Sequence, residues 1–246
     1  MIAPQFVPAT APTPAPAPAP AWGIVDLLLG ILLYLVPVGM LAVAAYIVQR
    51  LALNPAADVR VVLQSLSALA IEGLLVLPVW VLAVLRKRGG WAAVGFRRFV
   101  PLLGLTLPLA YLIVAFIGEG LWGAVIFTMK WPTQRSMEPI FGGNPLGIAI
   151  GFVAISIVGP VAEETFFRGF VIGGLRRRFG AIGALLLSAL FFSLLHPPYT
   201  IFPIIFLLGT LLGLLYLQTG SLGPGILMHG LFNTVAFIAQ FALNQQ

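Results

Sequence analysis

Four kinds of side chain in this sequence could do hydrolytic chemistry, and all lie in its apolar C-terminal half. The run Glu163-Glu164-Thr165-Phe166-Phe167-Arg168 follows Gly159-Pro160 inside a long apolar stretch. On a helix Glu164 and Arg168 are one turn apart and share a face, so an ion pair forms between them. Glu163 is rotated by about 100° from its neighbour and is left free to face something else. A carboxylate held in a low-dielectric site can serve as a general base. The chain has two histidines, His196 after Phe192-Ser193-Leu194-Leu195 and His229, with Asn233 one turn beyond His229. Together these residues supply a base, an orienting imidazole and hydrogen-bond donors for an oxyanion. A plainer reading makes Glu164–Arg168 a structural pair that joins two helices and each histidine a satisfied polar group.

The elements that position these residues are membrane helices. Of the 246 residues, 60% are hydrophobic and 8% are charged. A soluble domain carries about a quarter charged residues, so lipid must solvate most of this surface. Seven apolar segments follow Trp22, at 24–49, 61–85, 100–127, 145–170, 181–196, 201–218 and 224–243. Most reach the roughly 20 residues that cross a hydrocarbon core; the fifth is short, which leaves the count open by one, at about seven spans or eight. The segments lack the dyad alternation of barrel strands, and only helices or closed barrels satisfy a backbone in lipid. The fold class is therefore an all-α, polytopic transmembrane bundle. Residues 1–21 form a Pro/Ala-rich tail expected to be extended, residues 22–144 hold the N-terminal helices, and 145–243 hold the candidate catalytic unit.

The basic residues indicate orientation. Arg86, Lys87, Arg88, Arg97 and Arg98 fill one loop and Arg176, Arg177 and Arg178 another. With seven spans both fall on one side, and the positive-inside rule makes that side cytoplasmic, with the N-terminus inside. The expected location is the plasma membrane. This clustering explains the net charge of +6 without a nucleic-acid partner. No cysteine is present, which excludes disulfides and thiolate metal sites. Glu72 and Glu119 also fall within or near spans and read as structural partners for an arginine rather than as catalytic groups.

Spacing allows the chemistry-bearing residues to meet only in part. Glu163 and His196 stand seventeen and sixteen residues from Gly180. A hairpin at that glycine brings them to the same depth. His229 fits less well, because it lies five residues past Pro224. Upright helices would leave it about 15 Å short of the other two, unless the helices tilt or the 219–225 loop dips into the protein.

In this order, Glu163-Glu164-x-x-x-Arg168, Phe192-x-x-x-His196 and His229-x-x-x-Asn233 resemble the EExxxR, FxxxH and HxxxN motifs of the CPBP (Abi) family of intramembrane proteases, which includes the Rce-type CAAX prenyl endopeptidases. The resemblance covers about residues 146–240. It implies a helical fold around a polar chamber, a peptide or lipidated protein as substrate, and a lipid bilayer as surroundings. It further implies that Glu163 and His196 activate water and that His229 and Asn233 stabilise the oxyanion. Glu164 and Arg168 would hold the helix in place, and Phe192 would pack beside the site. Glu163, His196 and His229 could also form a three-ligand zinc site. No H-E-x-x-H signature accompanies them, and a mechanism without a cofactor is favoured. Two other classes of function rank lower. A non-enzymatic immunity or scaffold protein would not need the full set of motifs, and a transporter would need a charged path through the first three spans, where Glu72 and Glu119 stand almost alone.

Overall fold

The computed structural model describes residues 20–50, 56–132, 141–142 and 144–243. Residues 1–19 of the Pro/Ala-rich tail, with Arg135 and Glu138, lie outside the described residues. Every regular element among the described residues is helical. Helix α1 spans Ile24–Arg50, α2 spans Asp58–Arg86, the short α3 spans Gly90–Val94 and α4 spans Pro101–Met129. Pro145–Leu194 is helical apart from one residue, Gly180, at φ 69° and ψ 179°. That left-handed value of φ suits glycine, which has no Cβ to clash. It divides the stretch into α5 (145–179) and α6 (181–194). Helix α7 spans Phe202–Thr219 and α8 spans Gly223–Leu243.

These residues form helices because they are apolar almost throughout and must satisfy their backbone internally. Local signals mark the ends. Asn144 accepts hydrogen bonds from the amides of Leu146 (2.9 Å) and Gly147 (3.3 Å), with Pro145 at the first helical position, which starts α5 as a capped helix. Gly220, at φ 64°, closes α7 by donating to the Tyr216 carbonyl at 2.9 Å, a left-handed cap. The chain is an integral membrane protein. Many of its large apolar side chains face outward, among them Leu102 and Leu121 at 72% and 69% exposed, as expected where lipid is the solvent.

The expected hairpin at Gly180 is present. Ser188 donates to the Phe167 carbonyl at 3.0 Å, and the Phe167 and Phe192 rings meet edge to face at 5.2 Å. The two arms are unequal. Helix α5 continues nine residues past the expected end at 170, so it runs for about 50 Å, whereas α6 rises only about 21 Å. The surplus length of α5 carries Arg176, Arg177 and Arg178 beyond the core, where they are exposed. The start of α1 lies at the same end, because Asp26 accepts from Arg86 at 2.7 Å and Trp22 donates to the Phe170 carbonyl at 2.9 Å.

Helix α5 contains two stretches of π-helix, Ala154–Val158 and Glu164–Ile172. The wider π turn leaves backbone groups in need of other partners and is frequent at functional sites. Both stretches border the residues singled out above.

Candidate active site

Glu164 and Arg168 form the fixed part of the site. Each side chain is only 1% exposed, and Arg168 Nη1 donates to Glu164 Oε1 at 2.8 Å. The second guanidinium nitrogen donates to the Gly209 carbonyl on α7 at 3.1 Å. That carbonyl comes within reach because Gly209 lies against Ala189, where an added Cβ would sit 3.2 Å from the Ala189 Cα. The guanidinium carbon also lies 4.7 Å from the Phe192 ring centre, a cation–π contact. Both polar contacts of Glu164, from Arg168 and from His229, fall on Oε1, while its buried Oε2 has no hydrogen-bond partner among the described residues. Here one arginine fastens α5 to α6 and α7.

Glu163 turns away from this pair, as its position on the helix requires. Its Oε1 is 3.8 Å from His196 Nε2 and its Oε2 is 3.4 Å from His229 Nε2. His196 stands just beyond the last turn of α6, its backbone amide bonded to the Ser193 carbonyl at 3.1 Å. Its Nδ1 is 2.6 Å from the Phe192 carbonyl. A carbonyl only accepts, so Nδ1 carries the proton and the Nε2 lone pair of the neutral ring is directed at Glu163.

His229 touches both carboxylates, since its Nδ1 also lies 3.1 Å from Glu164 Oε1. The expected shortfall in depth does not occur, and the reason is the connection between α7 and α8. Ser221 and Leu222 are both 1% exposed. The Leu222 amide donates to the Gly95 carbonyl at 2.9 Å, and Ser221 Oγ donates to the Arg97 carbonyl at 2.8 Å. The segment after α3 thus covers the loop, and α8 begins inside the protein instead of at its surface. Glycines allow the approach. A Cβ on Gly169 would lie 2.8 Å from the Val94 carbonyl oxygen, and one on Gly225 would lie 3.0 Å from Glu164 Oε2.

Asn233 stands one turn further along α8, where its Nδ2 donates to the Ile155 carbonyl at 3.0 Å. This bond satisfies a backbone group within the first π stretch of α5 and fixes the orientation of the amide. Phe192, 1% exposed, sits among the other groups, with its ring centre 4.5 Å from that of His196 and 5.8 Å from that of His229.

Glu163, Phe192, His196, His229 and Asn233 line one cavity of about 650 Å³. Glu164 and Arg168 stand behind its wall. Glu72 and Glu119 line it as well, and among the described residues neither forms an ion pair with arginine. Their expected structural pairing is therefore replaced by a place in the cavity wall. The sequence carried one signal for this: an ionisable residue inside a span marks a functional site by default. No group of three His, Asp or Glu side chains among the described residues has an arrangement suited to holding a metal ion.

Comparison with known proteins agrees with the motifs. Residues 145–235 match the family model described as Type II CAAX prenyl endopeptidase Rce1-like. The chain is also 30% identical over 146 residues to the membrane-embedded CAAX protease MroQ of Staphylococcus aureus (strain USA300), a match that covers 56% of this chain and 56% of that protein. The chain thus spans about half the length of this curated relative. No solved structure matches it significantly. The family match spans the part of the chain that carries the three motifs.

Proposed function

We propose that this protein is an intramembrane peptidase of the CAAX-protease type, in which Glu163 and His196 activate water and His229 and Asn233 receive the oxyanion. The observation that carries this reading is the meeting of Glu163 with both histidines across three helices, at 3.8 and 3.4 Å. Between Glu163 Oε1 and His196 Nε2 the separation is too long for a direct hydrogen bond. It suits a water molecule that donates one proton to each acceptor. Such a water presents its lone pair to a peptide carbonyl lying in the cavity.

In the reaction Glu163 takes a proton from this water as its oxygen bonds to the carbonyl carbon. Negative charge collects on the carbonyl oxygen, and in this scheme the His229 Nε2–H and the Asn233 amide donate to it. Collapse of the tetrahedral species breaks the C–N bond. The proton held by Glu163 passes to the departing amine, and the carboxylic acid formed on the other product then loses its hydroxyl proton to become a carboxylate. Glu164 supports His229 from behind through Nδ1, and Arg168 holds Glu164. The proposed mechanism uses no metal, and the proposed substrate is a membrane-associated peptide or lipidated protein of the CAAX type. The catalytic unit is placed at 145–243, the N-terminus on the cytoplasmic side of the plasma membrane. The reading is tested by cleavage of a fluorogenic prenylated CAAX peptide by the purified protein and by Glu163→Gln, in which cleavage must vanish.

A further inference from the structure

The wall of the cavity that faces Glu163 carries two carboxyl groups which the proposed chemistry does not use. Helix α4 contributes Glu119, Trp122, Gly123, Ile126 and Phe127 to the lining. That spacing is a single helical face, so Glu119 is turned towards the cavity. Glu72 enters from α2. Its Oε2 would be 3.7 Å from a Cβ on Gly159, one helical turn before Glu163 on the same face of α5. Three carboxyl groups from three helices therefore surround the space, and among the described residues no lysine or arginine lines it.

Glu163 has its histidines, whereas Glu72 and Glu119 have no ion-pair partner among the described residues. A carboxylate held inside a membrane without a partner is costly. Both side chains reach the same cavity, so a group entering that cavity can complete them.

We propose that Glu72 and Glu119 set substrate specificity, by selecting a peptide segment with a cationic side chain beside the cut bond and disfavouring one with a carboxylate there. Neither residue is a catalytic group in this scheme. The inference rests on the peptidase reading for its site, although not for its test.

The experiment uses the full chain in nanodiscs of zwitterionic lipid, so that lipid charge does not attract the peptide. Three prenylated CAAX peptides are compared that differ only in Lys, Gln or Glu at the residue after the cut bond. For the wild type, kcat/KM is expected to fall from Lys to Gln to Glu, with roughly a tenfold difference between Lys and Glu for each carboxylate. In Glu119→Gln the Lys-to-Glu ratio shrinks, and in the double variant with Glu72→Gln it approaches one. The single Glu119→Gln variant suffices should the double variant fail to fold. Binding of the same three peptides to His196→Ala, which keeps all three carboxylates, reads the preference without turnover. A preference in binding that both substitutions abolish, with no cleavage by wild type, supports the inference and sinks the peptidase reading. Cleavage that ignores the residue's charge, or a ratio that the variants leave unchanged, overturns the inference while the peptidase reading stands.

Discussion

Glu163 Oε1 and His196 Nε2 face each other at 3.8 Å from the two arms of one helical hairpin. Seventeen and sixteen residues, respectively, separate them from the glycine that turns the chain. With His196 Nδ1 bonded to the Phe192 carbonyl, Nε2 of the neutral ring is an acceptor facing a carboxylate, an arrangement that a water molecule donating to both satisfies. Removing either acceptor is expected to lower kcat by about 100- to 10,000-fold. In Glu163→Gln and His196→Ala the thermal unfolding temperature should change little, because neither group holds helices together. Paired activity and melting measurements check this.

Arg168 is expected to behave in the opposite way. Replacing it with Leu leaves Glu164 buried without its cation and removes the bond to Gly209. Loss of one partner of a buried pair costs about 3–5 kcal/mol, so the variant should unfold at a much lower temperature in detergent. Arg168→Lys should restore little, since one ammonium does not reproduce a guanidinium that reaches Glu164 and Gly209 through separate nitrogens. A Lys variant as stable as wild type would show that charge alone suffices.

These two residues also indicate how far the sequence reaches. The i, i+4 spacing predicts the Glu164–Arg168 pair and sends Glu163 elsewhere, because one helix turn controls both facts. The hairpin at Gly180 is legible from the basic turn and the nearly equal counts to Glu163 and His196. The depth of His229 was not legible. Counting residues from a loop assumes that the loop lies at the membrane surface, whereas Ser221 and Leu222 are buried beneath the segment after α3 through contacts more than a hundred residues away in sequence. The π stretches leave no trace in the hydrophobic pattern. Glu72 was misread for a similar reason: a lone carboxylate in an apolar helix looks the same in sequence whether it meets an arginine or a cavity.

The inset loop gives a third expectation. A methyl group on Gly169 would meet the Val94 backbone oxygen at 2.8 Å, a contact that no rotamer change relieves. Gly169→Ala should push the segment after α3 away from α5, loosen the cover over Leu222 and draw His229 out of register. Its signature is a lowered melting temperature together with at least a tenfold loss of kcat/KM. Gly120→Ala, where no atom lies within 4 Å of the added Cβ, serves as the control and should behave as wild type.

Asn233 separates support of the backbone from support of the transition state. Asn233→Ala removes the donor to Ile155 and the proposed oxyanion contact at once. A loss of kcat by about 100- to 1,000-fold with KM little changed is expected for an oxyanion donor. Asn233→Asp keeps the size of the side chain but loses its N–H donors, so it should be as poor as Ala. Recovery of activity in Asp would assign Asn233 to packing alone.

The most direct measurement is cleavage of the fluorogenic prenylated CAAX peptide by wild type and Glu163→Gln in nanodiscs, each with and without a chelator. The expected result is cleavage by wild type that survives chelation and is absent from Glu163→Gln. Cleavage that persists in Glu163→Gln would contradict the role of Glu163, and cleavage lost on chelation and restored by zinc would contradict the metal-free mechanism.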